Sequence, residues 1–196
     1  MKKETFEWIH SWCDYAPNND LPRVLLVGDS ITYGYERFVR ERLKGIAYVD
    51  FVSTSYAVDT KMYTKLVKNF AADSRYQVIH FNHGLHGIHM SKKCYEKKVE
   101  SLVKELAKSS KIILTTSTFV YEAGNEKPDK AWGKRVAERN EVVFALAQKY
   151  NFPVDDLYSE SVKMPKERRY EDGIHYTQEG YDAFSEKVAT VIKENL

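Results

Sequence analysis

Short apolar segments alternate with longer amphipathic segments along this chain, and no other feature of the sequence limits the fold as strongly. The apolar segments are rich in β-branched residues, and apolar residues recur at three- and four-residue intervals in the segments between them. The predicted strands are 24–27, 46–52, 76–81, 111–116 and 152–157. This alternation predicts a three-layer α/β fold, in which helices cover both faces of a mostly parallel five-stranded sheet.

The chain has 196 residues, enough for one sizeable core, and no shift in composition marks a second one. We therefore predict a single domain over residues 1–196. Trp8, Ile9 and Trp12 have helical spacing and precede a loop-forming stretch at 17–20. This pattern predicts that residues 1–22 form a short helix and a loop that pack outside the sheet.

The charge balance argues against a polyanionic partner. The 30 basic and 28 acidic residues leave a net charge of only +2, so we expect no nucleic-acid binding. The N-terminus does not resemble a secretory signal, and no apolar run is long enough to span a bilayer, so we expect a cytoplasmic protein without a membrane partner. Cys13 and Cys94 fit no disulfide or metal framework and are predicted to be free thiols. The sequence does not indicate an oligomeric state.

The first predicted strand stops at Gly28, and Asp29 and Ser30 follow it directly. Either residue can cap a following helix, which is the purely structural interpretation. In a parallel sheet, however, a strand-to-helix turn lies at the carboxyl edge, where ligands bind and free helix N–H groups favour negative charge. Ser30 is therefore also a candidate nucleophile.

A serine nucleophile needs a general base and a group that orients the base. Asp172 and His175 are three residues apart near the C-terminus, a spacing that lets the carboxylate hold the imidazole Nδ1–H while Nε2 takes the serine proton. Such a spacing is common on its own. Because right-handed crossovers place the strand-to-helix loops on one edge, we expect Ser30, Ser55, the 82–86 loop and the 172–175 loop to converge there.

Two motifs resemble the GDSL esterase/lipase superfamily, also called SGNH hydrolases. Gly28-Asp29-Ser30-Ile31-Thr32 is similar to the first block of that family and Asp172-Gly173-Ile174-His175 to its last, so the resemblance covers nearly the whole chain. It implies Ser30 as nucleophile, His175 as general base and then acid, and Asp172 as the orienting carboxylate. It also implies a flavodoxin-like sheet order, a serine-ester intermediate and no cofactor. The Gly-x-Ser-x-Gly elbow of α/β-hydrolases is absent.

The blocks that supply the oxyanion hole depart from the family pattern. The resemblance implies three donors: the N–H of Ser30, the N–H of a glycine after the second strand, and an asparagine side chain after the third. Ser55 stands at the glycine position and His86 at the asparagine position. A neutral imidazole can donate one hydrogen bond, so we predict His86 as the third donor, with Asn82 in reserve.

Several residues are predicted to contact the substrate. Asp29 lies beside the nucleophile, and Tyr56, Trp132, Tyr170 and Tyr176 could flank the cleft, although aromatic residues at such positions also serve packing alone. We single out Asp29, Tyr56 and Tyr176 as substrate-binding residues.

Four histidines recur every three residues, at His80, His83, His86 and His89. The spacing suits a metal site poorly, because His80 falls in a predicted strand and cysteine or acidic ligands are missing nearby. We therefore predict no metal and expect His80 to be a structural histidine.

The motifs and the resemblance together predict a serine esterase. The range of the family and the compactness of the chain imply small acyl esters as its substrates, above all acetyl esters of carbohydrates or similar small alcohols. The alternative is a catalytically silent module that keeps the fold and binds a glycan or an acylated ligand. A nucleotide-binding α/β domain is disfavoured, because no glycine-rich phosphate loop follows the first strand.

Overall fold

One six-stranded sheet runs through the computed structural model of the protein, which describes residues 3–196. The strands are β1 Ile9–Trp12, β2 Arg23–Gly28, β3 Tyr48–Thr54, β4 Tyr76–Asn82, β5 Lys111–Thr115 and β6 Val154–Asp155. Their order is β1-β3-β2-β4-β5-β6, and every pair except β1 with β3 is parallel. The predicted three-layer α/β fold with a flavodoxin-like sheet is confirmed, but the sheet has six strands rather than five.

Helices cover both faces of this sheet. They are α1 Ser30–Arg42, α2 Lys61–Asp73, α3 Lys92–Leu106, α4 Lys130–Tyr150, α5 Leu157–Lys163 and α6 Gln178–Lys193. Side chains alternate across a strand, so Val24 and Leu26 pack in one apolar cluster with α1 and α6, whereas Leu25 and Val27 pack in a second cluster with α2 and α3. The uninterrupted apolar run of β2 is thus explained by burial on both faces.

The predicted helix within residues 1–22 is wrong, because residues 9–12 form the edge strand β1. This strand pairs antiparallel with β3, with Ile9 opposite Thr54 and Trp12 opposite Phe51. Residues four apart share a face on a strand as well as on a helix, so the spacing of Trp8 and Trp12 could not separate the two. A helix this short is unstable alone, whereas the edge of β3 offers unpaired backbone groups.

Helices α1 and α6 pack against each other and thereby join the two ends of the sequence. Gly34 allows close approach, since a Cβ there would lie 2.2 Å from the ring of Tyr181. Farther along, Arg42 bonds Asp182 at 2.7 Å and Ser185 Oγ at 2.7 Å. Because Ser30 begins α1 and residue 175 shortly precedes α6, this packing brings the two motifs together.

A buried ion pair lies at the end of the sheet opposite to Ser30. Arg23 on β2 and Asp50 on β3 are 5% and 2% exposed, and their charged groups lie 2.8 Å apart. Asp50 also accepts hydrogen bonds from the Asp14 N–H and the Tyr76 hydroxyl, at 2.8 Å each. Arg23 donates to the backbone carbonyls of Asp14, Tyr15 and Asn18. The pair therefore fixes the loop between β1 and β2.

Within residues 3–196, no helix combines the length and the apolar character that crossing a membrane requires.

Candidate active site

Ser30, His175 and Asp172 form one chain of hydrogen bonds at the carboxyl edge of the sheet. The Nε2 atom of His175 lies 2.8 Å from Ser30 Oγ, and its Nδ1 atom lies 2.6 Å from Asp172 Oδ2. An ionised carboxylate only accepts hydrogen bonds, so Nδ1 donates and Nε2 is left to accept from the serine hydroxyl. The structure thus brings together the three residues that the sequence singled out, in the order that nucleophilic catalysis requires.

Hydrogen bonds within the loop, and the glycine between its functional residues, set the shape of the loop that carries Asp172 and His175. The Asp172 Oδ1 atom accepts the N–H groups of Ile174 and His175, at 2.8 Å each. Gly173 between them has a φ of +77°, and a Cβ there would lie 2.2 Å from the carbonyl oxygen of Tyr121. Only glycine combines that backbone conformation with that close approach.

The same hydrogen bonds keep Asp172 ionised. Its partial burial alone would raise the pKa of the carboxyl group, but hydrogen bonds from the backbone and ring of His175 and from the backbone of Ile174 outweigh burial and lower it. Asp172 is therefore a carboxylate at neutral pH, able to hold the imidazole in one orientation.

A small hairpin spanning 121–128 holds this loop from outside. The N–H of Tyr121 donates to the Gly173 carbonyl at 2.9 Å, and the N–H of Gly124 donates to the Glu171 carbonyl at 2.7 Å. Within the hairpin, the N–H of Glu122 donates to the Lys127 carbonyl at 2.8 Å. These contacts are made by backbone groups, so the side-chain pattern of the sequence did not reveal them.

Asp29 is not a substrate-binding residue in this structure, so that prediction is wrong. The residue is only 1% exposed. Its Oδ1 atom caps α1 by accepting the Ile31 N–H at 3.1 Å, and its Oδ2 atom accepts the N–H groups of Gly84 and Leu85 at 3.4 and 3.3 Å. Asp29 instead ties the serine turn to the loop after β4.

Ser55 does not offer a free oxyanion donor in this structure. Its backbone N–H donates to the carbonyl of Trp8 at 3.3 Å. Its hydroxyl accepts the N–H of Trp8 at 2.9 Å and donates to the Glu7 carboxylate at 2.8 Å. The segment before β1, which the sequence analysis placed outside the sheet, therefore covers the donor that the family pattern implies.

The two candidates for the third donor also have partners of their own. The Nδ1 atom of His86 lies 2.9 Å from a carboxylate oxygen of Glu4, and Asn82 donates to the hydroxyl of Tyr35 at 3.3 Å. Neither bond involves Ser30. With its Nδ1 proton held by Glu4, a neutral His86 has an Nε2 atom that can only accept.

An open cleft of about 440 Å³ lies over the Ser30–His175 pair. It is lined by Ser30, Tyr33, Gly34, Glu36, Arg37, Tyr170, His175, Gln178 and Tyr181. Tyr33 and Tyr170 are 47% and 52% exposed and stand at its sides. The sequence predicts Tyr170 beside the cleft but gives no sign of Tyr33, whose ring stacks on His10 of β1 with centroids 4.3 Å apart.

The other predicted aromatic contacts lie elsewhere. Tyr176 is 1% exposed, and its hydroxyl donates to the Phe119 carbonyl at 3.4 Å, so its prediction as a substrate contact is wrong. Tyr56 packs against the apolar cluster on the α2 face, and Trp132 packs against the cluster on the α1 face. Neither lines the cleft over Ser30.

The four regularly spaced histidines do not meet at one point, although the rings of His83 and His86 stack with their centroids 5.9 Å apart. His80 is buried on β4, 2.9 Å from Asp155, whereas His89 lies 3.0 Å from Asp59. Burial lowers the pKa of His83 to about 4, so its imidazole is neutral. Among residues 3–196, no cluster of three or more His, Cys, Asp or Glu side chains is arranged to hold a metal ion.

The fold and the site together define a three-layer α/β protein with a serine, a histidine and an aspartate at one sheet edge, and comparison with solved structures makes that class more specific. The lipase/acylhydrolase from Enterococcus faecalis superposes with a TM-score of 0.73 at 18% identity, covering 89% of this chain and 96% of that one. The GDSL-like lipase from Bacteroides thetaiotaomicron gives 0.70 at 19% identity, covering 89% of each chain. The acetylxylan esterase from Geobacillus stearothermophilus gives 0.69 at 18% identity, covering 89% and 93%.

The protein therefore has the fold of the GDSL/SGNH hydrolases. At these identities, the likeness establishes the fold. No protein-family model and no curated protein matches the sequence.

Proposed function

We propose that this protein is a serine esterase that hydrolyses small acyl esters. The observation that carries the proposal is the hydrogen-bonded series Ser30–His175–Asp172 at the floor of an open cleft. Ser30 is at the first position of α1, where the helix leaves N–H groups without an intrahelical acceptor. That position favours the negative charge that develops when an ester carbonyl is attacked.

The reaction would proceed in two halves. Ser30 Oγ attacks the ester carbonyl while His175 Nε2 takes the hydroxyl proton, and the tetrahedral intermediate collapses as His175 returns that proton to the departing alkoxide. The products at this stage are the free alcohol and an acyl ester of Ser30. Water then attacks the acyl group, gives its proton to His175, and releases the acid as the proton returns to Ser30. Asp172 keeps the imidazole oriented throughout.

The oxyanion would be held by the Ser30 N–H and by the loop after β4. His86 remains our proposed donor from that loop. Its Nδ1–H is directed to Glu4 in this structure, so a neutral His86 must exchange that hydrogen bond for one to the oxyanion.

We expect His86→Ala to lower kcat for p-nitrophenyl acetate by about 10²-fold with little change in KM, the usual cost of losing one oxyanion donor. His89→Ala is the matched control, since His89 pairs with Asp59 instead. An unchanged kcat in His86→Ala would remove His86 from the mechanism.

We propose acetyl esters of carbohydrates as the substrate class. A sugar ring could stack against Tyr33 or Tyr170 at the sides of the cleft. One of the structural neighbours is an acetylxylan esterase, which agrees with a short acyl group on a sugar alcohol.

The first test is the hydrolysis of p-nitrophenyl esters from acetate to octanoate. We expect kcat/KM to be highest for acetate and to fall as the acyl chain lengthens. A maximum at octanoate would contradict the short-acyl assignment while leaving the esterase assignment intact.

The covered Ser55 N–H favours one alternative, a silent module that binds a glycan or an acylated ligand without hydrolysing it. A fluorophosphonate probe separates the two functions. An esterase should be labelled at Ser30, as read by mass spectrometry of the Ser30 peptide, because labelling needs an activated hydroxyl. A folded protein that neither labels nor hydrolyses any ester would support the silent module.

A further inference from the structure

Arg139 on α4 is a buried charge that the proposed mechanism does not use. The residue is 2% exposed and among the largest fully buried side chains of the protein. Its hydrogen bonds go to backbone carbonyls rather than to a carboxylate, and burial lowers the pKa of the guanidinium. Burying a charge is costly unless well-placed partners compensate it, so the identity of those partners matters.

All the partners of Arg139 belong to the loop after β4 or support it. The guanidinium donates to the carbonyl of Gly84 and, at 2.7 Å, to that of Gly87. Its central carbon lies 5.0 Å from the ring centroid of Tyr95, whose hydroxyl donates to the His83 carbonyl at 2.9 Å. Arg139 and Tyr95 together therefore hold three carbonyls of this loop from the α4 side.

Asp29 holds the same loop from the opposite side. The N–H of the peptide unit between Gly84 and Leu85 donates to the Asp29 carboxylate at 3.3 Å, and its C=O accepts a hydrogen bond from the Arg139 guanidinium. One peptide group thus lies between a buried negative charge and a buried positive charge, and each charge strengthens the hydrogen bond that the other makes. The two charged side chains therefore interact through the peptide group that both of them bond.

We infer that Arg139 is a positioning residue for the nucleophile turn and the loop that faces it. Asp29 directly precedes Ser30 and caps α1. Because Arg139 holds the loop whose amides bond Asp29, it positions the Asp29 carboxylate, and through it Ser30 and the Ser30 N–H. The loop also carries His86, the proposed oxyanion donor, and it begins directly after Asn82 at the end of β4. The loss of kcat expected on replacing Arg139 rests on the proposed esterase function, whereas the expected change in amide exchange does not.

The test compares Arg139→Lys and Arg139→Met with Arg135→Met, a matched change on the same helix. Arg135 is partly exposed and pairs with Glu138 at 2.7 Å. A lysine ammonium keeps the charge but lacks the planar fork that serves two carbonyls at once. We expect Arg139→Lys to lower kcat for p-nitrophenyl acetate by about 10- to 100-fold with little change in KM, because small misplacements of reacting groups are costly. Arg135→Met should retain the activity of the native protein.

Amide hydrogen exchange, followed by NMR, supplies a readout that does not depend on hydrolysis. In Arg139→Lys we expect faster exchange at the Gly84 and Leu85 amides, whose acceptor is Asp29, with unchanged exchange in β2 and β4. If the native protein hydrolyses no ester, the proposed function fails, yet this selective exchange would still support the positioning role.

Two results would overturn the inference. One is an Arg139→Lys protein with native exchange at both amides. The other is a uniform rise in exchange across the sheet at native kcat, which would make Arg139 a general packing residue. If Arg139→Met does not fold, Arg139→Lys alone tests whether Arg139 positions the loop.

Discussion

Replacing Ser30 with alanine is expected to lower kcat for p-nitrophenyl acetate by about 10⁴- to 10⁶-fold, the range seen when one member of a Ser-His-Asp triad is removed. The change deletes the attacking oxygen and leaves His175 without the hydroxyl that it activates. It should leave the fold intact, because Asp29 rather than Ser30 caps α1. Steady-state hydrolysis and fluorophosphonate labelling measure the loss, and circular dichroism confirms the fold.

Ser11→Ala is the control for this variant. Ser11 is an exposed residue on β1, so its replacement should leave both hydrolysis and labelling at Ser30 unchanged. If Ser30→Ala kept more than about a tenth of the native kcat, a serine ester on Ser30 could not be the intermediate, since removing such a nucleophile costs far more.

The largest effect on stability is expected from Asp50→Ala at the opposite end of the sheet. The substitution removes the partner of buried Arg23 and the acceptor of the Asp14 N–H and the Tyr76 hydroxyl. Breaking a buried ion pair by removing one partner costs about 3–5 kcal/mol in the free energy of unfolding. Urea denaturation of the native and variant proteins measures the difference.

Asp182→Ala serves as the comparison for an exposed pair. Asp182 pairs with Arg42 at a similar distance of 2.7 Å, but both side chains are at least a third exposed. Exposed pairs contribute about 0–1 kcal/mol, so the free energy of unfolding should change little. Equal losses in Asp50→Ala and Asp182→Ala would contradict the assignment of Arg23 and Asp50 as a buried anchor.

The sequence predicts the hydrogen-bonded arrangement of Ser30, His175 and Asp172 because that arrangement is encoded largely by local spacing. Asp172 and His175 lie in one short loop, where a three-residue spacing suffices for the carboxylate to reach Nδ1. Ser30 follows a strand that is apolar throughout, and parallel strands with right-handed crossovers bring such turns to one edge. The remaining distance between the motifs is closed by α1 and α6, whose apolar faces are also visible in the sequence.

The surroundings of the triad depend on contacts that no local pattern encodes. Arg139 lies three residues from both Val136 and Val142, a spacing that places it on the buried face of α4, but no local pattern shows that its guanidinium bonds the loop after β4. Asp29 was predicted to bind substrate because it is polar and beside Ser30, but its carboxylate is used by the backbone of a distant loop. Ser55 lost its predicted role because a segment some 47 residues earlier in the chain covers it.

The hairpin spanning 121–128 limits the loop that carries Asp172 without limiting its own sequence to the same degree. It bonds that loop through the backbone N–H groups of Tyr121 and Gly124. Its support of the loop that carries Asp172 and His175 therefore uses no hairpin side chain. Its exposed side chains can therefore be exchanged while Asp172 keeps its place, except that the φ of +69° at Gly124 favours glycine there. Variation in this hairpin would alter the surface beside the Asp172 loop without moving Asp172 or His175, so the surroundings of the proposed site could diversify here among descendants of this sequence.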